Sequence, residues 1–299
     1  MDRISKLHLS LLTLYCLLWA LKDVLTKLFL AALDPVSLTF YLSLFSTFFT
    51  LILLARKRLA QPALFFAGRF NLLSWIQLGL MGVVSAGAFL TVVVAIYVDG
   101  PVLYSLVNSG TYPVFVAMMG FLFLDEQFPR RKLVGLNLAI MGVLVFQWEK
   151  LQALDFAFSG ALIAALSALL FSLAITLVKQ LLKKSINPEE LLFSRFFITT
   201  GLLGGLLLVT GSFGPTGQFW QLGMLSLLGY TLPFLMSFYA LRKVPISLLG
   251  VFVTTIPIIS LLLSLLLLPG FTVSIWQVFG GAIVIAGVWV SVEPAARQR

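Results

Sequence analysis

The chain is a succession of apolar runs, each about as long as a bilayer is thick, separated by short clusters of basic residues. A helix needs about 20 apolar residues to cross roughly 30 Å of hydrocarbon. Ten runs reach that scale: 8–31, 37–55, 72–98, 101–124, 132–148, 157–179, 189–210, 219–241, 245–268 and 273–292. In hydrocarbon, backbone polar groups must be bonded within the protein, and Leu- and Ala-rich runs of this length achieve that as helices, not barrel strands. The expected fold is an all-α membrane protein with ten transmembrane helices. Composition agrees: 60% of the residues are hydrophobic and 10% charged, where a soluble domain carries about 25% charged residues. Arg3 and Lys6 precede the first run as in a signal peptide. That run is too long and lacks a small-residue cleavage site, so it reads as a retained first span.

The basic residues orient the spans. Placing the N-terminus inside gathers Arg3 and Lys6 with Arg56, Lys57, Arg58 and Arg69, then Arg130, Arg131 and Lys132, then Lys179, Lys183 and Lys184, then Arg242 and Lys243, then Arg297 and Arg299. Only Lys150 falls on the outer side, while Lys22, Lys27 and Arg195 lie within spans. Basic residues concentrate in cytoplasmic loops, so both termini are expected in the cytoplasm. The net charge of +9 is then a record of topology and needs no nucleic-acid partner. One cysteine, Cys16, and one histidine, His8, leave no thiolate metal site and little basis for histidine chemistry. No phosphate-binding loop of the G-x-x-x-x-G-K-[ST] type is present. Neither a cofactor nor a metal is expected. An interfacial enzyme needs a nucleophile or an acid–base set; Asp125, Glu126 and Arg130 form a cytoplasmic cluster, but no His or Cys joins them, so the chain is not read as an enzyme.

Two halves share their spacing. Pro101 and Pro113 in "PVLYSLVNSGTYP" are as far apart as Pro245 and Pro257 in "PISLLGVFVTTIP". Gly135 and Gly142 are as far apart as Gly280 and Gly287, and Trp19 and Lys27 as Phe171 and Lys179; Pro35 and Pro188 follow. The halves are 1–150 and 151–299. Five spans per half is an odd number, so the second half enters the membrane inverted. Inverted repeats mark many secondary transporters, whose solute site lies near the midplane between the halves.

These features together resemble the drug/metabolite transporter superfamily, of the EamA type with two repeats. The resemblance rests on Trp19 followed by Lys27 in the first span, Pro35 ahead of the second, and "GTYPVFVAMMGFLFLDEQF" with its mid-span proline and acidic turn. "NPEELLFSRFF" and "FYALRKVPIS" look like the second-repeat counterparts. Two departures stand out. Leu42 occupies a place where such families often carry arginine, while the second repeat keeps Arg195. The second repeat has "LLPGF" in place of the acidic turn. The resemblance implies small organic solutes such as amino acids, amines, nucleosides or vitamins, commonly exported.

Candidate site residues follow from polar groups inside spans. An ionisable residue at depth is costly and normally faces a bundle interior. Lys22 shares its helical face with Tyr15, Trp19 and Thr26, as a cavity wall would; the alternative is a buried structural partner. Asp23 and Lys27 are spaced as a helical ion pair, and Asp23 is the candidate coupling carboxylate. Arg195 can receive a carboxylate or phosphate, pair with Glu190, or cap carbonyls. Ser105, Asn108 and Tyr112 occupy one face of the fourth span, and Tyr230 offers aromatic surface. Thr111 and Thr254 are further hydroxyl candidates unless they bond back to the helix. Asn137 reads as a helix–helix hydrogen bond. Pro113 and Pro257 are candidate kinks or gates. The expected activity is alternating-access transport, as exporter or facilitator, of a small polar or zwitterionic metabolite such as an amino acid. The rival reading is a lipid flippase or a membrane assembly subunit. The partners are then a small solute and membrane lipid, with room for a homodimer, and the location is the cell membrane, the inner one in a Gram-negative bacterium.

Overall fold

A computed structural model describes residues 6–29, 33–60, 71–127, 129–146, 148, 158–211, 217, 219–267 and 273–292. The helices are α1 (Lys6–Phe29), α2 (Pro35–Ala60), α3 (Leu72–Leu124), α4 (Arg130–Phe146), α5 (Phe158–Lys183), α6 (Pro188–Thr210), α7 (Phe219–Ser226), α8 (Leu232–Leu241), α9 (Ile246–Val253), α10 (Ile256–Leu267) and α11 (Ile275–Val292). A π-helical turn, Leu227–Thr231, joins α7 to α8. Among the described residues there is no strand. Among the described residues, seven stretches are long and apolar enough to cross a membrane by themselves: Pro35–Leu59, Leu72–Val98, Val107–Leu124, Leu162–Lys183, Pro188–Thr210, Phe219–Leu241 and Ile246–Leu263.

The surface is inverted relative to a water-soluble protein. Val209, Trp220, Leu266 and Leu208 stand out from the bundle, the first two 87% exposed. Ser43, Ser46, Thr50, Thr199, Ser226 and Arg195 are buried. An apolar exterior around a polar-bearing interior is the arrangement that hydrocarbon selects.

Local chemistry sets the helix ends. Pro35 and Pro188, paired by the internal spacing, each open a helix, where a missing N–H costs nothing. The Asp34 carboxylate accepts from the Val36 and Ser37 amides at 3.0 Å each. Asn187 and Glu190 form a reciprocal capping box at the start of α6. Proline also explains two interruptions. Pro233 has no N–H for the Gly229 carbonyl, and the turn above it opens into the π form. Pro257 has none for the Val253 carbonyl, and α9 ends there; the Thr254 and Thr255 amides tighten instead onto Val251 and Phe252. The backbone stays helical through Pro113, so the two prolines matched in the sequence do not interrupt their helices alike.

The run α3 is 53 residues of unbroken helix where two spans were expected. It nevertheless doubles back. Gln77, near its start, donates to the Gln180 side-chain carbonyl at 3.0 Å, and Gln180 donates to the Phe123 carbonyl, near its end, at 3.4 Å. In a straight helix those two residues would stand roughly 70 Å apart. The reversal lies between the crossings Leu72–Val98 and Val107–Leu124, where the sequence places Gly100 and Pro101.

The repeated glycines form a seam. A Cβ on Gly280 would lie 2.2 Å from the Phe146 nitrogen, and one on Gly287 would lie 2.5 Å from the Ala139 nitrogen. One on Gly142 would meet the Val284 nitrogen at 2.6 Å, and one on Gly135 the Gly287 carbonyl at 2.7 Å. Helices α4 and α11 thus touch backbone to backbone, which small residues alone permit.

One end of the bundle collects most of the basic segments. Lys57 pairs with Glu189 at 2.7 Å, and Tyr239 donates to the same carboxylate. Lys179 donates to the carbonyls of Leu241 and Val244, and Lys183 to that of Leu124 at 3.1 Å. Asp125 takes the left-handed conformation (φ 55°) that ends α3, a conformation Asp tolerates better than most residues. That turn points Glu126 at the first turn of α9, where its carboxylate accepts from the Ile246 amide at 2.6 Å, the Ser247 amide at 3.2 Å and the Ser247 hydroxyl. Lys132 also donates to the Ser247 hydroxyl.

Candidate functional site

The interior of the bundle holds a cavity walled by residues from both halves. Tyr15 and Trp19 come from α1, Asn108 and Tyr112 from the second crossing of α3, and Arg195 from α6. All five are sequence candidates. The free space is about 30 Å³, room for about two waters and far below the roughly 300 Å³ at which ligand pockets begin.

Arg195 is 1% exposed. Among the described residues, none of its side-chain nitrogens, Nε, Nη1 or Nη2, has a hydrogen-bond partner. Glu190, the acid that sequence spacing offered it, is engaged with Asn187 instead. The guanidinium lies 4.1 Å from the ring centre of Phe234 and 5.1 Å from that of Phe89. Rings attract the cation through their faces but have no lone pairs for its five N–H donors. Asn108 likewise has a buried side-chain oxygen without a partner.

Lys22 and Tyr230 form a second layer beside this cavity. Lys22 is buried, with its ammonium 4.1 Å from the Trp19 ring centre and 5.4 Å from that of Tyr230. Its stem fits against the π turn, where a Cβ on Gly229 would fall 2.5 Å from Lys22 Cγ. Trp19 connects the layers, since its ring is 6.2 Å from Tyr230 and 5.2 Å from Phe234. The side chains of Asp23, Thr26, Lys27 and Ser105 lie outside the described residues.

Three hydrogen-bond expectations resolve locally. Thr111 and Thr254 donate back to the carbonyls of Val107 and Val251, both at 2.7 Å. Asn137 is a correction: it donates to Leu133 of its own helix at 2.8 Å and bonds to no other helix among the described residues. An exposed amide on a lipid-facing helix satisfies itself within the turn because nothing else is in reach. Pro113 packs against α9, where a Cβ on Gly250 would lie 3.3 Å from Pro113 Cα.

The sequence reading missed part of the wall, namely Tyr104, Phe171, Phe234 and Ser237. One signal was at hand. In the sequence Phe171 precedes Lys179 by the same interval as Trp19 precedes Lys27, and the two rings meet edge to face in the cavity wall with centres 6.1 Å apart.

Comparison with known proteins identifies the class. The family model described as the EamA-like transporter family matches residues 6–148 and 158–292, and the chain belongs to that family. It is therefore a multi-pass membrane protein of a family of transporters. An uncharacterized transporter of Archaeoglobus fulgidus is 24% identical over 92% of this chain and 95% of its own length. A probable amino-acid metabolite efflux pump of Salmonella typhimurium is 28% identical over 78% of this chain and 81% of its own. A solved crystal structure matches with a TM-score of 0.77 at 18% identity, over 97% of this chain and 98% of that one. At that identity it speaks to the fold alone.

Proposed function

We propose that the chain is an alternating-access transporter that moves a small polar or zwitterionic metabolite, such as an amino acid, out of the cytoplasm. Ten spans form two inverted halves, 1–150 and 151–299, with both termini inside. The observation that carries this is the central cavity, whose wall joins Tyr15, Trp19, Asn108 and Tyr112 of one half to Arg195 and Phe234 of the other. A site shared by two halves changes its exposure when the halves rock. The two stretches matched by the family model support the division, and the Salmonella relative's name supports the solute class.

The basic end is the cytoplasmic gate in this reading. Glu126 of the first half holds α9 of the second through three donors. The cavity is smaller than any solute of this class, so solute entry requires the walls to separate. Asp23 is the candidate coupling carboxylate, and in the sequence it stands beside Lys22 and four residues before Lys27. Facilitated export or exchange is the proposed mode.

Purified protein in liposomes tests the reading. Counterflow of radiolabelled amino acids is expected, together with cytoplasmic labelling of cysteines placed at residues 57 and 184 in a Cys16→Ala background. Absence of flux for every polar metabolite tried, or labelling of those positions from outside, would sink it. Uptake driven by a pH gradient and lost in Asp23→Asn would replace exchange with proton coupling.

A further inference from the structure

The buried guanidinium of Arg195 calls for an explanation. Native proteins leave few buried polar groups without partners. A charge removed from both water and counter-charge is among the costlier arrangements a fold can hold. Here all three side-chain nitrogens lack an acceptor among the described residues. The phenyl rings of Phe234 and Phe89 offset part of the cost and leave the donors unused. The fork is also not closed off by packing, since Arg195 lines the cavity.

The cavity's chemistry narrows what meets that fork. Among the described residues, Arg195 is the only charged one in the wall, with no second cation and no acid. One guanidinium balances one negative charge. A monoanion is matched, a phosphate dianion is left half-compensated, and a cation is repelled. The planar fork fits the two oxygens of a carboxylate bidentately. Asn108 contributes a buried oxygen without a partner, which accepts from a donor on the same molecule. Trp19 and Phe171 supply apolar surface.

We propose that Arg195 is a carboxylate receptor, and that the solute admitted to the central cavity is a carboxylic acid bearing a nearby hydrogen-bond donor and an uncharged, largely apolar body. The inference rests on the transport reading of the cavity and names its substrate class. It carries a consequence for the cycle. Closing the walls around an unmatched guanidinium is unfavourable, whereas a bound carboxylate neutralises it. The loaded carrier therefore reorients faster than the unloaded one, and flux is stimulated by acid on the opposite side.

Matched acid–amide pairs that carry a hydroxyl donor and no ammonium test this on the full-length protein: lactate with lactamide, 2-hydroxyisocaproate with its amide, and phenyllactate with its amide, with inorganic phosphate as a further arm. In thermal-shift titrations, at least one acid is expected to stabilise the protein while its amide and phosphate do not. Arg195→Gln should weaken that acid at least about tenfold, the loss of one charge-assisted pair, and erase the acid–amide difference. Arg195→Lys keeps the charge without the fork and should weaken it less. Without ligand, Arg195→Gln should unfold no earlier than the parent, which a structural arginine would not allow. The proposal is overturned if no acid stabilises the parent, if amide or phosphate does as well, or if both variants keep the discrimination. Liposome flux separates the two readings. Acid-selective binding without flux refutes transport and keeps the receptor. Equal flux of acid and amide refutes the receptor and keeps transport.

Discussion

The basic end of the bundle and its centre use the same kinds of side chain in opposite ways. At the end, the charges are answered by the protein. Lys57 meets Glu189, Lys179 meets the carbonyls closing α8, Lys183 meets the carbonyl closing α3, and Glu126 meets the amides opening α9. Helix termini expose the unpaired groups that such charges satisfy. At the centre, Arg195 is more deeply buried than any of these and has no hydrogen-bond partner among the described residues. Charges that the fold answers hold the fold together, while a charge that the fold leaves unanswered is there for something that arrives.

Stability measurements on single variants can break this contrast or sharpen it. The largest loss is expected from Glu126→Ala, which strands the first donors of α9; unfolding in detergent should show a drop of about 3 kcal/mol. Lys179→Met keeps the apolar stem but uncaps two carbonyls, and should lower stability by about 2 kcal/mol in the same assay. Arg195→Met should go the other way, gaining about 1 kcal/mol, because replacing an unpaired buried ion by an apolar side chain outweighs the lost ring contacts. Transport should be lost in that variant. Lys57→Met removes a partly exposed pair and should cost less than about 1 kcal/mol. If Arg195→Met were as destabilising as Lys179→Met, the centre and the end would not differ in kind.

Much of this was legible in the residues. Run length and apolar content marked the helices, and Pro35 and Pro188 marked two of their starts. The spacing of Gly135, Gly142, Gly280 and Gly287 anticipated a shared feature of the halves, though not that all four meet in one seam. Five of the cavity's residues were chosen because polar or aromatic groups inside a span need a reason. Others were illegible for a physical reason. Phe234 and Phe171 are ordinary apolar residues in apolar runs, and only their position around Arg195 distinguishes them. Gly100 and Pro101 read as the break between two spans, and the chain reverses between Val98 and Val107; that the turn keeps helical backbone was not legible.

The sequence by itself determined that the chain resides in a membrane, that it is helical, and which residues are too polar to face lipid. These follow from transfer and backbone hydrogen bonding, which act on each segment alone. Tertiary structure decided which polar groups find one another. It placed Glu126 on α9, turned Glu190 toward Asn187, and left Arg195 among rings. A side chain's partner depends on helices far away in the chain, and no local pattern encodes that distance.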